Sequence, residues 1–326
     1  MAKKDDSSSR TAPGASVSAI VATVDRFDPI VRLLDSLSKQ TVPPLEVIFV
    51  DQNEVALPDT LIRAKNWPFV IRHCHLSASR GVSRARNVGL RQAVGEWVFF
   101  PDDDCWYPPD YIERSLAVAR QSGADFVSGR PTDTEGRTIN GRFAANAGPI
   151  RPHMVFTRVI EWNVLARLGA VNQLAGFDET ISLGGQTPWQ GGEGFDLLLR
   201  AIDGGFTCYY DPTIVAHHDE LSTHRPDVAM AQKGRKYGRG HGRVLAKHGY
   251  GFHIAGYWVA RSLFNLALSL LSGRMARARY FLQQATGRFE GWLGRTLAWP
   301  KYPRIRARPD TADRTAWLPA SDARGS

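Results

Sequence analysis

The chain reads as an α/β protein: a mixed, mainly parallel sheet flanked by helices, followed by an amphipathic helical extension. Three observations predict this. Through the first hundred residues, short apolar runs alternate with stretches of helical periodicity, the pattern of βαβ units. Three of those runs lead into acids, at Asp25, Asp51 and Asp102-Asp103-Asp104, so carboxylates gather where strands end. Beyond residue 230 the composition turns basic and aromatic, around one long apolar stretch.

The elements follow in order. Val17 to Val24 is a buried strand, and Ile30, Leu33, Leu34 and Leu37 mark one face of a helix. Pro43-Pro44 breaks the chain before a second strand, Leu45 to Asp51. Phe69 to His73 is a third, short strand. Gly81 precedes a helix over 83–94, and Gly95 closes it before the strand Val98-Phe99-Phe100. A helix over 111–121 and a strand over 124–129 come next. Residues 130–152 are rich in Gly, Asn and Thr and read as one long irregular region, a common place for function. Glu161 to Leu168 reads as a strand, Ile181 to Gly192 as a glycine-rich loop carrying Trp189, and Phe195 to Ile202 as a helix. A strand from Phe206 to Tyr210 leads on to the pair His217-His218.

The three consecutive acids after Phe100 carry the chemistry. Carboxylates this close repel one another and lose solvation unless a cation sits among them. Two readings follow: a solvated acidic turn before the helix at Asp110, or a site for Mg²⁺ or Mn²⁺ with oxygen ligands and substrate phosphates. The acids at the other strand ends favour the second.

Composition bounds the partners. The 326 residues are 43% apolar and 10% aromatic, enough for a sizeable core, and the formal net charge of +9 suggests an anionic partner. The three cysteines, Cys74, Cys105 and Cys208, have no metal-ligand spacing and no disulfide pattern, which points to a reducing compartment. Residues 1–16 lack an apolar core and are expected to be a disordered tail, not a signal peptide; the Pro/Arg-rich residues 302–326 are expected to be a second tail. Between them lie a main domain over 17–230 and an extension over 231–301.

In that extension Lys233, Lys236, Arg239, Arg243 and Lys247 recur every three or four residues, a solvated face or a basic interface. Ile254 to Leu271 is apolar, at the lower limit for a bilayer span, but carries Arg261 and Asn265. A helix lying in the plane of an anionic membrane surface, or packed on the domain, fits better than a span. Arg274, Arg277, Arg279 and Arg288, interleaved with Tyr280, Phe281 and Phe289, fit the same interface. The mixture could equally serve nucleic acid, but no recognisable nucleic-acid motif accompanies it and no such partner is expected.

Six segments together resemble family 2 glycosyltransferases, which have the GT-A fold. They are Val50-Asp51; Gly81-Val82-Ser83-Arg84-Ala85-Arg86-Asn87-Val88-Gly89; Gly95-Glu96-Trp97 through Asp104; Ala175-Gly176-Phe177-Asp178-Glu179; Gly192-Glu193-Gly194-Phe195-Asp196 through Arg200; and Tyr210-Asp211-Pro212 with His217. The resemblance spans roughly residues 17–220. It implies an inverting transferase that takes a sugar from a nucleotide-diphosphate donor, UDP-linked, to an acceptor hydroxyl. Asp51 is then the acceptor for the nucleotide base, with Asp25 helping to hold base or ribose. Arg86 faces the diphosphate, and Asn87 braces its loop. Asp102 and Asp104 are the Asp-x-Asp pair, with Asp104 the direct metal ligand, Asp102 supporting it and Asp103 beside them the most replaceable. His217 is a second metal or diphosphate contact, and Trp189 a surface for a sugar face.

The family's general base is commonly the first Asp of Glu-Asp-x-Asp, and here that position is Gly194. Glu193 is the next candidate base and Asp196 the second, expected to be structural. With the basic tail, the resemblance implies a saccharide or lipid-linked acceptor, bacterial surface polysaccharide or glycolipid assembly, and a place at the cytoplasmic face of the inner membrane. Two rivals remain at this point. One is a sugar nucleotidyltransferase, against which stands the lack of a glycine-rich phosphate loop in Ala22 to Asp28. The other is a relative that binds sugar nucleotide but has lost the base.

Overall fold

An eight-stranded sheet in the order β3-β2-β1-β4-β7-β5-β8-β6 divides the protein into two apolar layers. The computed structural model describes residues 15–58, 60, 65–77, 80–219 and 226–297, and one compact unit runs to Thr296. The expected tails lie outside the described residues apart from Ala15 and Ser16.

β1 (Val17–Thr23), β2 (Glu46–Asp51), β3 (Val70–His75) and β4 (Trp97–Phe99) pair in parallel. α1 (Asp28–Ser38) and α2 (Val82–Leu90) cover opposite faces, because strand residues alternate: Phe49 and Phe99 join Leu33 and Leu37 on one side, while Ile48, Val98 and Phe100 join Ala85 and Leu90 on the other. Gly89 lets α2 close on the sheet, since a Cβ there would stand 2.3 Å from Ile20. α3 (Tyr111–Ser122) follows the acid cluster and ends at Gly123 in the left-handed conformation.

Beyond α3 the sheet becomes mixed. β5 (Phe126–Thr132) and β7 (Val164–Arg167) pair antiparallel, β7 also runs antiparallel to β4, and β5 is parallel to β8 (Cys208–His217). The region expected to be irregular contributes a short edge strand, β6 (Gly148–Pro149). The expected strand over 161–168 begins instead as a 3₁₀ turn, Glu161–Asn163, with only Val164–Arg167 in the sheet, followed by α4 (Leu168–Gln173). β8 runs on through Pro212, beyond the expected strand end at Tyr210. The register with β5 shifts at that point, so the missing N–H falls at an irregularity of the ladder.

α5 (Glu193–Asp203) packs Leu197, Leu198 and Leu199 beneath the sheet. The extension is three helices, α6 (Val228–Lys247), α7 (Phe252–Leu271) and α8 (Met275–Leu293). α6 and α8 meet along glycines: a Cβ on Gly238, Gly242, Gly287 or Gly291 would lie between 2.0 and 2.6 Å from a carbonyl oxygen of the facing helix. Glu290 is buried in this seam and receives both Arg235 (Nε–Oε2 3.0 Å) and Arg239 (Nε–Oε2 2.6 Å). The predicted basic stripe is therefore only partly a solvated face. α7 is mostly exposed; among the described residues it is the one helix long and apolar enough to cross a membrane by length and composition.

Candidate active site

The ends of β1, β2 and β4 bring the acids together, as a parallel sheet does with residues at its carboxyl edge. Asp102 still bridges to Ala22, which carries the line of β4 three residues beyond its last paired position. Asp103 is buried, accepts the Thr23 hydroxyl at 2.7 Å, and pairs with Arg26 at 2.8 Å. Burial pushes its carboxyl up to about 6 against the pull of Arg26. Held by the Thr23 hydroxyl and Arg26, Asp103 is a structural anchor, contrary to the expectation that it would be the most replaceable of the three.

Asp104 contacts Arg26 on one oxygen, and His218 Nε2 lies 3.2 Å from the other. Burial opposes ionisation, yet the His218 contact and then Arg26 bring the Asp104 carboxyl down to about 2. The same contact raises His218, against its own burial. Position 217 was expected here, but the chain turns it away. His217 Nδ1 lies 2.8 Å from the Thr132 hydroxyl and 3.0 Å from the Asp133 carbonyl, and its ring stacks on Trp106. Successive strand residues face opposite sides, so only one of the two histidines can reach the acids.

Asp104, Cys105 and His218 place their donor atoms within 4.8 Å of one another. Burial beside Asp102 and Asp104 lifts the Cys105 thiol well above its ordinary range, and a soft thiol is a poor match for Mg²⁺ or Mn²⁺. The carboxylate and imidazole that remain suit Mg²⁺ or Mn²⁺.

Arg86 is 1% exposed and reaches Asp102 at 2.9 Å through Nη2. Its Nε and Nη1 are buried without a hydrogen-bond partner, with Cζ 6.0 Å from the Phe100 ring centre and 5.4 Å from that of Phe177. A guanidinium held with free donors beside acids is ready for an anionic ligand. Asn87 beside it is spent on the fold: its amide exchanges hydrogen bonds with the Phe177 backbone and also reaches Glu179, tying α2 to the turn at Gly176.

Asp51 is turned away from solvent. Oδ1 accepts from the Asn53 backbone and side chain, Oδ2 from the Leu57 N–H and His73, and these bonds hold its carboxyl low against burial. The residue expected to receive the base therefore organises its own loop in this structure. Asp25 is exposed, with a left-handed backbone, and lies 3.4 Å from Arg80. Trp189 lies under Arg243 and against the lower core layer rather than open to a sugar.

Glu193 opens α5 and is 3% exposed; Oε1 is 3.5 Å from the Leu183 N–H and Oε2 has no partner. Asp196 is fully buried and bound by Arg200 (2.9 Å), Lys247 (2.7 Å) and His248 (2.9 Å), which makes it structural, as expected of the second base candidate. Sequence reasoning passed over Glu161. A Cβ on Gly194 would lie 2.7 Å from the Glu161 Cβ and 3.0 Å from its Oε2, so Glu161 fills the space of the missing acid. The signal was there, an acid at the head of an apolar run, but strand periodicity hid it. Lys233 was also read as surface. Burial and then the Arg26 charge lower it, against the pull of Asp104 and Asp102.

Residues 18–169 match the sequence pattern described as Glycosyl transferase family 2. That segment, a little under half of the chain, carries the likeness to family 2 glycosyl transferases. It is similar to an uncharacterized glycosyltransferase of Haemophilus influenzae, 29% identical over 69% of this chain and 76% of that one. It is also similar to the succinoglycan biosynthesis protein ExoO of Rhizobium meliloti, 28% identical over 60% of this chain and 58% of the relative. The fold is shared with the mannosyltransferase PcManGT of Pyrobaculum calidifontis, solved with GDP-Man and Mn²⁺. There the TM-score is 0.59 at 17% identity, covering 84% of this chain and 87% of that one. The family pattern and the glycosyltransferase relatives favour a transferase over a nucleotidyltransferase, and the fold is of the GT-A type.

Proposed function

We propose that this enzyme moves a sugar, with inversion, from a nucleotide-diphosphate donor, UDP-linked, to a hydroxyl of a saccharide or lipid-linked acceptor, in assembly of a surface polysaccharide or glycolipid. The observation that carries the reading is Arg86, a buried guanidinium with unused donors beside Asp102 at the carboxyl edge of the sheet. Arg86 holds the donor diphosphate. Asp104 and His218, supported by Asp102, are the residues that would hold a divalent cation. Such an ion, when bound, screens the charge that builds on the departing diphosphate. A glutamate at the start of α5 or beside it takes the acceptor proton as that oxygen attacks the anomeric carbon.

The acceptor and the place of action rest on the extension. Phe264, Leu268 and Leu271 on α7 and Met275 on α8 are exposed, with Arg274 and Arg277 beside them. Apolar side chains rimmed by guanidinium groups suit the headgroup region of an anionic bilayer. α7 then lies on the cytoplasmic face of the inner membrane and does not cross it, because Arg261 sits at its middle.

The test is a panel of UDP- and GDP-linked sugars with Mg²⁺ or Mn²⁺ and lipid-linked saccharide acceptors, read as nucleoside diphosphate released. Acceptor-stimulated release from one donor supports the reading. Binding of donors with no release in any combination would reduce the protein to a sugar-nucleotide binder.

A further inference from the structure

The strongest unexplained feature is the pair of acids around Gly194. In the six-segment comparison the acid is missing at 194, while in space a carboxylate is present, delivered from another part of the chain. The 3₁₀ turn Glu161–Asn163 sets the Glu161 side chain against the Gly194 backbone. The turn is pinned: Tyr107 donates to the Trp162 carbonyl at 2.7 Å, and the Trp162 ring stacks on His218, the imidazole beside Asp104. One two-residue segment therefore touches both the acid cluster and the start of α5.

Glu193 is the second, independent observation. It is 3% exposed, and its Oε2 is buried without a partner. A carboxylate oxygen left so is costly unless something arrives to bond it. Loss of water, then the neighbouring Glu193 charge, pushes the Glu161 carboxyl up to about 8, and burial raises Glu193 as well. Two carboxyls in one low-water site share a proton more readily than they both ionise.

Resting on the transferase reading above, we propose that Glu161 is the catalytic base of the transfer, standing in from a different segment for the acid absent at Gly194, with Glu193 as its positioning partner. The Glu161 carboxylate takes the proton of the acceptor hydroxyl. That oxygen forms its bond to the anomeric carbon while the bond from that carbon to the diphosphate oxygen breaks, and the electron pair leaves with the nucleoside diphosphate. The proton on Glu161 then passes to solvent. No oxidant or further reactant is needed. Glu193, whose charge acts on Glu161, sets the ease with which that carboxyl gives up its proton between turnovers.

The test compares wild type with Glu161→Gln and Glu193→Gln, using the donor, cation and acceptor that give turnover. The measured quantities are kcat, donor KM and thermal unfolding. Glu161→Gln is expected to lower kcat roughly 10²- to 10⁴-fold, the range for a lost base, with donor KM changed less than about threefold and unfolding close to wild type. Glu193→Gln is expected to cost less in kcat. A second comparison guards against a folding defect. Glu161→Gly frees the space beside residue 194, and adding Gly194→Asp to it returns a carboxylate from the other side, which should recover at least about tenfold over Glu161→Gly alone. Wild-type turnover in Glu161→Gln, or a Glu193→Gln defect larger than the Glu161→Gln defect, overturns the assignment while leaving the transferase reading in place. No turnover by wild type with any donor overturns both.

Discussion

A Cβ on Gly240 would lie 1.7 Å from the carbonyl oxygen of Gly191. Backbone therefore rests on backbone where α6 crosses the loop that leads into Glu193, and the loop's position depends on the extension. Gly240→Ala has no room to relax without moving one of them. The expected cost is about 1–3 kcal/mol, seen as a fall of several degrees in Tm, with a loss of turnover larger than the stability change explains. Wild-type turnover in a folded Gly240→Ala protein would show that the loop does not need this support.

The two histidines should separate. His218→Ala and Asp104→Asn are each expected to lower turnover on the order of 10²-fold and to blunt its dependence on Mn²⁺ concentration. His217→Ala loses the stacking on Trp106 and is expected to act through stability, with the metal titration unmoved. The reverse ranking in an Mn²⁺ titration would put 217 back at the metal.

Arg86→Lys keeps the charge and loses the fork. One ammonium cannot satisfy Asp102 and a diphosphate together. A loss of roughly ten- to a hundredfold in kcat/KM is expected, from charge-assisted hydrogen bonds of about 1.5–3 kcal/mol. Equal kcat/KM would mean that the spare guanidinium donors face nothing in the complex.

Asp196 makes stability depend on pH with a definite sign. Burial opposes its charge, but hydrogen bonds from His248 and Lys247 and the charge of Arg200 outweigh it, so its folded value lies well below the usual carboxylate range. A depressed carboxylate contributes stability above its unfolded value and loses that contribution as pH falls. Wild type should weaken progressively below about pH 4. Asp196→Asn, which leaves the half-buried Arg200 and Lys247 without their anion, is expected to cost about 3 kcal/mol at neutral pH and to flatten that acid limb. Urea midpoints across the acid range decide it.

The membrane contact can be probed without touching the site. Phe264→Ser with Arg274→Ser removes one exposed ring and one cation from the α7 and α8 surface. Retention on phosphatidylglycerol-containing vesicles is expected to fall roughly thirtyfold, at about 1 kcal/mol for the charge and a similar amount for the ring. Unchanged retention would remove the lipid surface as partner.

Much of the fold was legible because it is written locally. The alternation of apolar runs and helical faces marks β1 to β4, and the acids at their ends are fixed by the parallel sheet. What escaped the sequence depends on distant contacts. Asp51 reads as an open acceptor until Leu57 and His73 are seen to fill it. Lys233 and Arg235 look alike on the helix face until Glu290 and the acid cluster separate them. His217 and His218 differ only in the facing of one residue, which a register shift three residues upstream decides. The base was hidden for a different reason: it lies thirty-odd positions from where motif spacing looks for it.

The contact between Gly194 and Glu161 also bears on how such chains change over generations. With Glu161 in place, a side chain at 194 collides; with glycine at 194, losing Glu161 leaves the pocket without the acid that fills it. Neither position can drift alone. Lineages that carry the acid at 194 should show a small residue at 161, and the passage between the two arrangements should run through a weakened intermediate or a simultaneous change, so the two positions are expected to covary.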